Sequence, residues 1–424
     1  MEKQGIIKSI WKGFQQNKLA LAAFKLIVSF MAIALIAGFL ANDKPIAAKH
    51  NGQILFPAFK EIAVNAGLAK WNPALQHADW KNLDYAWSVF PPIPYLPNNI
   101  DYNNIPPVGP FDAQNIESLR WRHWLGTDAL GRDVLSGIIH GIKISLGIGL
   151  GAMFIALILG LFTGILSGYY GDSGFRMSRG RFFLNLVFLL MGTFMAFVPR
   201  LYILKDAMQS TVWEILKELG ISFSIIAIFL VIANVLALLL QRISFFKKRV
   251  ALPVDLFIQR LIELKLSIPI IFLFIAVIAV TGPSANVLIL LIGFTAWTGI
   301  ARFLRAEILR EKELAYIEAA RALGYSNSRI IFKHLMPNVL SPVFVTFAFG
   351  VSGAILAESS LSFLGLGVSP ETVTWGSLMA SSKQCPTCWW LAVFPGIMVF
   401  LTVYSFYLIG EGLSDAANPR LKKI

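Results

Sequence analysis

Long apolar segments alternate with shorter polar ones along the chain, and this alternation predicts its helices. Eight apolar segments approach or exceed the roughly twenty residues that an α-helix needs to cross a hydrocarbon core of about 30 Å. They lie at about 19–41, 139–170, 183–204, 221–241, 266–283, 285–304, 338–358 and 390–412. A backbone in lipid must satisfy its hydrogen bonds internally, so each segment is predicted to be a membrane-spanning helix. The expected fold class is an all-α polytopic membrane protein with about eight spans.

The composition of the 424 residues excludes several other classes of protein. Hydrophobic residues make up 56% of the chain and charged residues 14%, against roughly a quarter charged in a typical soluble protein. A disordered chain, a disulfide-rich secreted scaffold and an ordinary soluble enzyme are therefore excluded. The first apolar run, from Leu19 to Ala41, is too long for the core of a cleaved signal peptide, and we expect an uncleaved anchor.

The positive charges predict the orientation of the spans. The net charge of +13 does not indicate a nucleic-acid partner, because most of the basic residues fall in alternate loops. One set of segments holds 21 of the 37 Lys and Arg residues: 1–18, 172–182, 242–255, 302–337 and 414–424. The other set holds 11: 42–138, 205–220 and 359–389. The positive-inside rule therefore places both termini in the cytoplasm, and 1–18 and 414–424 are the cytoplasmic end segments.

The segment 42–138 is the one sizeable part expected outside the membrane. Ten of the twenty prolines lie here, and Pro91-Pro92-Ile93-Pro94-Tyr95 favours extended chain. Five tryptophans add apolar mass without forming a span: Trp71, Trp80, Trp87, Trp121 and Trp124. We expect a compact, irregular external cap; a passive loop is the alternative.

Glycines at four-residue spacing mark the second span. Gly147 and Gly151 are followed by Gly160, Gly164 and Gly168. Small residues at this spacing allow two helices in lipid to approach closely. The partner helix could belong to another subunit or to this chain, and the spacing favours neither.

The residue patterns of common enzymes are missing from the sequence. It contains no G-x-x-x-x-G-K-[ST] phosphate loop, no H-E-x-x-H, no G-x-S-x-G and no metal-ligand spacing among its five histidines. We therefore expect no catalytic residue, no metal site and no cofactor in this chain. Glu358, near the outer end of the seventh span, is expected to lie close to water; contact with a cationic group is the alternative.

Two cysteines, Cys385 and Cys388, are separated by Pro-Thr in the last external segment. A local structural disulfide is expected if that face is oxidising, and two free thiols if it is reducing.

The segment at about 309–337 is the most informative cytoplasmic loop. The residues from Glu311 to Leu323 favour helix, and Gly324 is expected to end it. Ser326 is expected to cap a second short helix, and Pro337 to open the next span. Ala319 and Ala320 are expected to give the first helix a smooth face that a partner can approach, with Glu318 and Arg321 supplying charge beside it.

This loop resembles a known motif. Glu318-Ala319-Ala320, then Gly324, then Pro337 thirteen residues later resemble the EAA loop of permease subunits of bacterial ABC importers. A second run is similar to the external signature of the dipeptide/oligopeptide/nickel permease C subunits. That run is residues 123–136, which contain Gly126, Thr127, Asp128, Gly131, Arg132 and Asp133. Residues 361–368, 412–416 and 418–421 also match this family, and residues 41–45 and 91–95 are similar to its branch of microcin C and peptide importers.

The resemblance implies a non-catalytic transport subunit of the bacterial cytoplasmic membrane. Its expected partners are the lipid bilayer, a second permease of B type, two ATPases that bind ATP and Mg, and an extracytoplasmic binding protein that delivers peptide. Glu318, Ala319, Ala320 and Gly324 are expected to form the coupling helix, with Arg321 and Pro337 in the same motif. Nickel or another small solute is an alternative substrate within the family, and an ion-coupled secondary transporter is an alternative of another class.

The family pattern also predicts the domain organisation. A six-helix core of type I importer permeases is expected from the helices 19–41 and 139–170 and the segment 254–413, whose coupling loop lies at about 309–337. Residues 171–253 contain an extra pair of spans, which we expect to pack outside that core. His334 and Met336 depart from the general motif, which has aliphatic residues there.

Overall fold

The structure is a computed structural model that describes residues 3–65, 68–72, 75, 78–240 and 244–417. The run 418–421, His77 and Arg242 lie outside the described residues. By its contacts the chain divides into two compact units. The first comprises Met1–Gly13, Gly151–Gly350 and Leu413–Ile424, and the second Phe14–Leu150 and Val351–Gly412.

The described residues are mostly helical. The helices are α1 (Lys3–Gln16), α2 (Lys18–Leu40), α3 (Pro57–Asn65), α4 (Val134–Ile165), α5 (Arg179–Phe197), α6 (Leu201–Met208), α7 (Val212–Leu240), α8 (Ser244–Lys247), α9 (Val254–Ser267), α10 (Ile270–Thr281), α11 (Ala285–Glu311), α12 (Ala315–Ala322), α13 (Asn327–Arg329), α14 (Met336–Leu364), α15 (Trp375–Ser381) and α16 (Trp390–Ala417). The strands are β1 (Ala47–His50), β2 (Gln53–Leu55), β3 (Trp87–Val89), β4 (Arg176–Ser178) and β5 (Arg249–Ala251).

The expected class of an all-α polytopic membrane protein is confirmed. Within the described residues, seven helices are long and apolar enough to cross a membrane, and an eighth span results if α9 and α10 are counted as one. The seven are Lys18–Leu40, Val134–Tyr170, Arg179–Phe197, Val212–Leu240, Ala285–Glu311, Asn327–Leu364 and Trp390–Ala417.

The span expected at 266–283 is broken near its start. The axes of α9 and α10 differ by 82°, and the helix restarts after Pro269. Ile268 is extended, with φ −92° and ψ 119°, because the ring of a following proline excludes the helical conformation. The apolar α10 therefore contains only 12 residues.

In the first unit, α5 and α7 form an antiparallel hairpin that packs chiefly on itself. Only 17% of the residues in the apolar stretch of α5 and 11% of those in α7 are buried, against 50% in α11. At one end, β4 pairs with β5 and closes the hairpin. At the other, the Gln209 side chain donates to the Thr281 carbonyl at 2.7 Å, and the Asn286 side chain to the Ser210 carbonyl at 3.1 Å. The hairpin of α5 and α7 is thus attached at its two ends and exposed between them.

In the second unit, the segment 42–138 contains a three-stranded antiparallel sheet in the order β2-β1-β3. Its apolar core consists of Ala41, Phe90, Ile93, Tyr95 and Trp121. The five tryptophans do not share one environment: Trp80 and Trp121 are buried, whereas Trp87 and Trp124 are about half exposed.

Glu358 lies in this second unit, and its expected position close to water is wrong. The side chain is fully buried and accepts hydrogen bonds from Ser362 Oγ at 2.8 Å and Ser359 Oγ at 3.3 Å. The start of α15 covers this part of α14: a Cβ on Gly376 would lie 2.6 Å from the Ser359 carbonyl oxygen. The polar contacts of the buried carboxylate come from hydroxyl groups.

Candidate functional site

Helix α12 presents one face to the protein and one to the outside. Ile317 and Ala320 are buried, whereas Glu318, Ala319 and Arg321 are exposed. Residues three apart share a face of a helix, so the buried pair seats α12 on its own chain. The expectation that Ala319 and Ala320 form one accessible face is wrong for Ala320, because its methyl group points inward. The exposed face is that of Glu318 and Ala319.

Gly324 ends α12 as expected. Its φ is +74°, a conformation that costs a residue with a side chain free energy. Its N–H donates to the Arg321 carbonyl at 2.9 Å, and the Tyr325 N–H donates to the Ala320 carbonyl at 3.1 Å. These bonds satisfy carbonyl groups that the end of a helix leaves open.

The helix boundaries in this loop differ from the expected ones. The stretch from Glu311 to Leu323 is not one helix: α11 ends at Glu311, and Leu314 is extended, with ψ 143°, before α12 begins. Ser326 caps α13 as expected, accepting from the Arg329 N–H at 3.4 Å. The second short helix is not separate, however, because α13 continues through a π-turn at Ile330–Leu335 into α14. This wider turn precedes Pro337, which has no N–H to donate, and the helix continues across it.

Tyrosine and lysine side chains hold the loop against its neighbours. The Tyr169 hydroxyl donates to Asn327 Oδ1 at 2.9 Å, and Lys312 Nζ donates to the Gly168 carbonyl at 3.2 Å. The Tyr316 hydroxyl donates to Glu311 Oε2 at 2.7 Å. Burial and the Glu311 carboxylate raise the pKa of Tyr316 to about 12, so this hydroxyl stays protonated at neutral pH. The loop is fixed on its inner side while α12 stays exposed on its outer side.

An ion pair next to the loop was not anticipated from the sequence. Asp255 at the start of α9 accepts from Arg305 Nε at 2.7 Å and from Arg305 Nη2 at 2.5 Å. The side chain of Ser167, in the π-turn Leu166–Tyr170, also donates to Asp255. The bidentate geometry fixes the direction of both side chains. It ties α11, six residues before its end, to the first turn of α9. The two residues are fifty positions apart, and no pattern in a single sequence pairs them.

The run 123–136 folds as a turn that starts α4. Asp128 Oδ1 accepts from the Leu130 and Arg132 N–H groups, both at 2.9 Å, and its Oδ2 pairs with Arg132 at 2.7 Å. Asp133 Oδ1 accepts from the Ser136 N–H at 2.6 Å and so caps the helix.

Close contacts explain the two glycines and the threonine of the same run. Gly126 and Gly131 have φ of +80° and +81°, and a Cβ on either would lie within 2.7 Å of a backbone carbonyl oxygen. Thr127 is fully buried, and its hydroxyl accepts from the Val108 N–H at 3.0 Å. The six residues singled out by the sequence therefore shape the turn and pack it against Val108 and Asp101.

His123 lies at the centre of this turn. It is fully buried, with Nδ1 2.8 Å from Asp133 Oδ2 and Nε2 3.1 Å from Asp101 Oδ2. Burial alone lowers the pKa of His123, but the hydrogen bonds and charges of the two carboxylates outweigh it and raise the pKa above 6.5. Burial acts to raise the pKa of Asp101, whereas hydrogen bonds from His123, Asn104 and the Asn103 N–H lower it to about 2. Both ring nitrogens thus face carboxylate oxygens, an arrangement that favours the doubly protonated ring.

The segment between α15 and α16 contains a disulfide bond between Cys385 and Cys388. Cys388 belongs to an apolar cluster with Val134, Ile138 and Trp390. Both cysteines pack with core residues, as expected for a disulfide that stabilises the fold.

Comparison with known proteins agrees with the motifs. Residues 248–423 match the family model described as binding-protein-dependent transport system inner membrane component. Over 438 aligned residues, the chain is 26% identical to the peptidoglycan transport system permease protein YejE of Agrobacterium fabrum, which covers 97% of this chain and 93% of that protein.

Two further relatives match a shorter part. A putative peptide transport system permease protein of Brucella suis is 38% identical over 169 residues, which are 40% of this chain and 57% of that protein. The dipeptide transport system permease protein DppC of Escherichia coli K12 is 36% identical over 167 residues, 39% of this chain and 56% of that protein. These two alignments span little more than half of each relative.

Proposed function

Residues 248–423 belong to the family of binding-protein-dependent transport system inner membrane components, and the chain is a multi-pass transport permease; from this premise we propose that it imports peptides. It is one of two permease subunits of an ATP-driven importer in the bacterial cytoplasmic membrane. A second permease, two ATPases and an extracytoplasmic binding protein complete the assembly. The relatives named for peptide, dipeptide and peptidoglycan transport support this choice of substrate.

In this proposal α12 is the coupling helix that an ATPase contacts. The observation that carries the proposal is the exposed face of Glu318 and Ala319 on a helix seated by Ile317 and Ala320. The Ala319 methyl group lets the backbone of a partner approach closely, and Glu318 supplies a charge for orientation. The chain itself remains non-catalytic, and ATP with Mg is bound by the ATPases.

The contacts around α12 support its use as a lever. Only three residues separate it from α11, and the Asp255–Arg305 pair ties α11 to α9. A push on α12 is therefore transmitted to α11 and α9 rather than absorbed by a flexible loop. ATP-driven closure of the ATPases moves this element and opens the pathway inward by alternating access. Such a mechanism requires two states with different contacts to the ATPase.

The orientation in this proposal places both termini and α12 in the cytoplasm. The excess of basic residues in the short loops 172–182 and 242–255 supports this placement. The turn at 123–136 and the disulfide of Cys385 and Cys388 then lie outside, where oxidising conditions maintain disulfides.

Crosslinking from two adjacent alanines tests the coupling assignment. Ala319→Cys lies on the exposed face and is expected to crosslink to an ATPase in native membranes, whereas Ala320→Cys, which is buried, serves as the matched control and is expected not to react. In the same membranes Glu318→Arg should abolish peptide uptake and stimulated ATP hydrolysis without reducing the amount of inserted protein. If Ala319→Cys captures no ATPase, or Glu318→Arg transports normally, α12 is not the coupling helix.

A further inference from the structure

An apolar groove lies between the hairpin and α9. Its volume is about 320 Å³. Its walls come from the start of α5, the later part of α7 and the first turn of α9, and include Phe182, Leu186, Leu230, Pro253 and Phe257. Phe182 and Phe257 are 40% and 57% exposed, so the groove is open along one side.

Strands β4 and β5 and the residues that flank them, 172–182 and 244–255, form a basic ribbon that borders the groove. Strands β4 and β5 pair so that Arg176 lies opposite Ala251, and Ser178 opposite Arg249. The segments 172–182 and 242–255 hold seven basic residues and two acidic ones. Of the two acidic residues, Asp255 is engaged by Arg305, and Asp172 accepts from the Leu256 N–H at 3.0 Å. The basic residues of the ribbon therefore greatly outnumber the acidic residues near them in sequence.

Most of these basic side chains have no acidic partner within the part of the chain that the structure describes. Five of the seven form no ion pair with a described carboxylate: Arg176, Arg181, Lys247, Lys248 and Arg249. Four of them are exposed: Arg176, Lys247, Lys248 and Arg249. Their charge is available to a group from outside the chain.

Arg181 shows most directly what that group must supply. Its Nε is a buried donor without a hydrogen-bond partner among the described residues. A buried polar group left unpaired destabilises the folded protein. Arg181 lies in the first turn of α5, directly after β4 and before Phe182, which lines the groove. An acceptor for its side chain would therefore lie at the end of the groove nearest the ribbon. The site calls for a negatively charged head joined to an apolar chain.

We propose that this groove binds an anionic phospholipid, with one acyl chain against Phe182, Leu186 and Phe257 and the phosphate at Arg181 and the ribbon. Basic residues at a membrane surface contribute about 1 kcal/mol each to binding anionic lipids. A zwitterionic lipid offers the same acyl chains without net charge, so the excess of basic residues selects the anionic one. The proposal concerns the extra hairpin and does not depend on which solute is transported.

Native mass spectrometry of the purified full chain tests this site. Delipidated protein is titrated with dioleoyl phosphatidylglycerol or with dioleoyl phosphatidylcholine. We expect it to bind a single molecule of phosphatidylglycerol more tightly than a single molecule of phosphatidylcholine. Arg249→Gln, an exposed position, and Arg181→Gln should each weaken phosphatidylglycerol binding about fivefold. Leu186→Trp, which fills the groove, should weaken binding of both lipids. Lys217→Gln, on the same hairpin at the other end of α7, is the matched control and should bind as the unaltered chain does.

Three results would overturn the proposal. Equal affinity for the two lipids would show a groove that recognises only acyl chains. Unchanged phosphatidylglycerol binding in Arg249→Gln would show that the ribbon does not bind the head group. Crosslinking of Leu186→Cys to the second permease in native membranes would assign the groove to a helix of that subunit.

Discussion

At the scale of single residues, the turn at 123–136 is built around a buried histidine. His123 lies between the carboxylates of Asp133 and Asp101, and its ring stacks on Tyr95 with centroids 4.3 Å apart. The ring can donate to both carboxylates at once only when both of its nitrogens carry a proton. The raised pKa of His123 means that folding favours this doubly protonated form.

The stability of the protein should therefore depend on pH through His123. A pKa raised on folding stabilises the protein below the unfolded pKa of about 6.5, and this contribution disappears as the pH rises through the folded value. The pKa of Asp101, lowered to about 2, acts in the opposite direction and loses its contribution only below about pH 4. In thermal unfolding of the purified chain, His123→Gln should lower Tm most near about pH 6, with a smaller difference from the unaltered chain at alkaline pH.

The control for this prediction is His50→Gln. Its Nδ1 meets the backbone carbonyl of Asp84 at 2.7 Å rather than a carboxylate, so the same substitution there should not produce a deficit centred near about pH 6. A deficit in His123→Gln that is the same at every pH would show that the histidine contributes only packing.

At the scale of elements, the glycines of the second span pack inside this chain. A Cβ on Gly160, Gly164 or Gly168 would lie 2.6, 2.9 or 3.0 Å from the Cβ of Ile300, Leu304 or Ile308, respectively. Glycines four residues apart on α4 and on the π-turn after it thus contact side chains that are four residues apart on α11. Gly147 differs, because a Cβ there would meet no described atom within 4 Å. The three later glycines hold α11, the helix that leads to α12, directly against the second span.

A side chain at Gly164 should separate these two helices. In Gly164→Val the added Cβ would lie 2.9 Å from Leu304 Cβ and 3.1 Å from the Ala301 carbonyl oxygen, so the backbones must move apart. Overpacking of this kind typically costs about 1–3 kcal/mol. We expect a lower Tm for the purified chain and reduced coupling of ATP hydrolysis to uptake in membranes.

Gly147→Val is the matched control, since it makes the same substitution in the same helix at an exposed position. It should leave the Tm of the isolated chain unchanged. Equal losses of Tm in both variants would attribute the effect to valine in the helix rather than to contact with α11.

The elements differ in how far the sequence could predict them. The spans were predictable because about twenty apolar residues in lipid leave the backbone no alternative to a helix. Gly324 was predictable because an αL residue at a helix end favours glycine. The break at Pro269 and the continuous helix across Pro337 were missed. Both follow from proline chemistry, but the local sequence does not say whether a helix breaks at a proline or continues across it. Asp255–Arg305 and the burial of Glu358 depend on segments that are distant in sequence, and periodicity contains no information on those contacts.

At the scale of the whole molecule, the hairpin of α5 and α7 contains two candidate spans, an even number that returns the chain to the side from which it came. Its two ends are adjacent: Arg179 N–H donates to the Lys248 carbonyl at 3.0 Å, and Ser178 pairs with Arg249. The hairpin can therefore be removed without stretching the chain or reversing the spans that follow. The family match at residues 248–423 begins where the hairpin ends.

Removal of residues 179–248, with Ser178 joined to Arg249 through Asn-Gly, tests this view. An Asn-Gly pair suits a two-residue hairpin turn, so β4 and β5 can remain paired. We expect the shortened chain to insert with α12 on its original side and to keep most of its peptide uptake. Its preference for phosphatidylglycerol should be lost, because Arg181 and the α5–α7 side of the groove are gone.

Reaction of Ala319→Cys with a membrane-impermeant maleimide measures the side of the membrane on which α12 lies. The control is a chain from which only residues 212–240 are removed. That second deletion takes out one span instead of two, so the following spans should reverse and Ala319→Cys should react from the opposite face. If the chain lacking 179–248 keeps Ala319→Cys on the original side and yet transports nothing, the hairpin forms part of the pathway rather than an addition to it. Retained uptake would place the pathway in the remaining helices and leave the hairpin its contact with lipid.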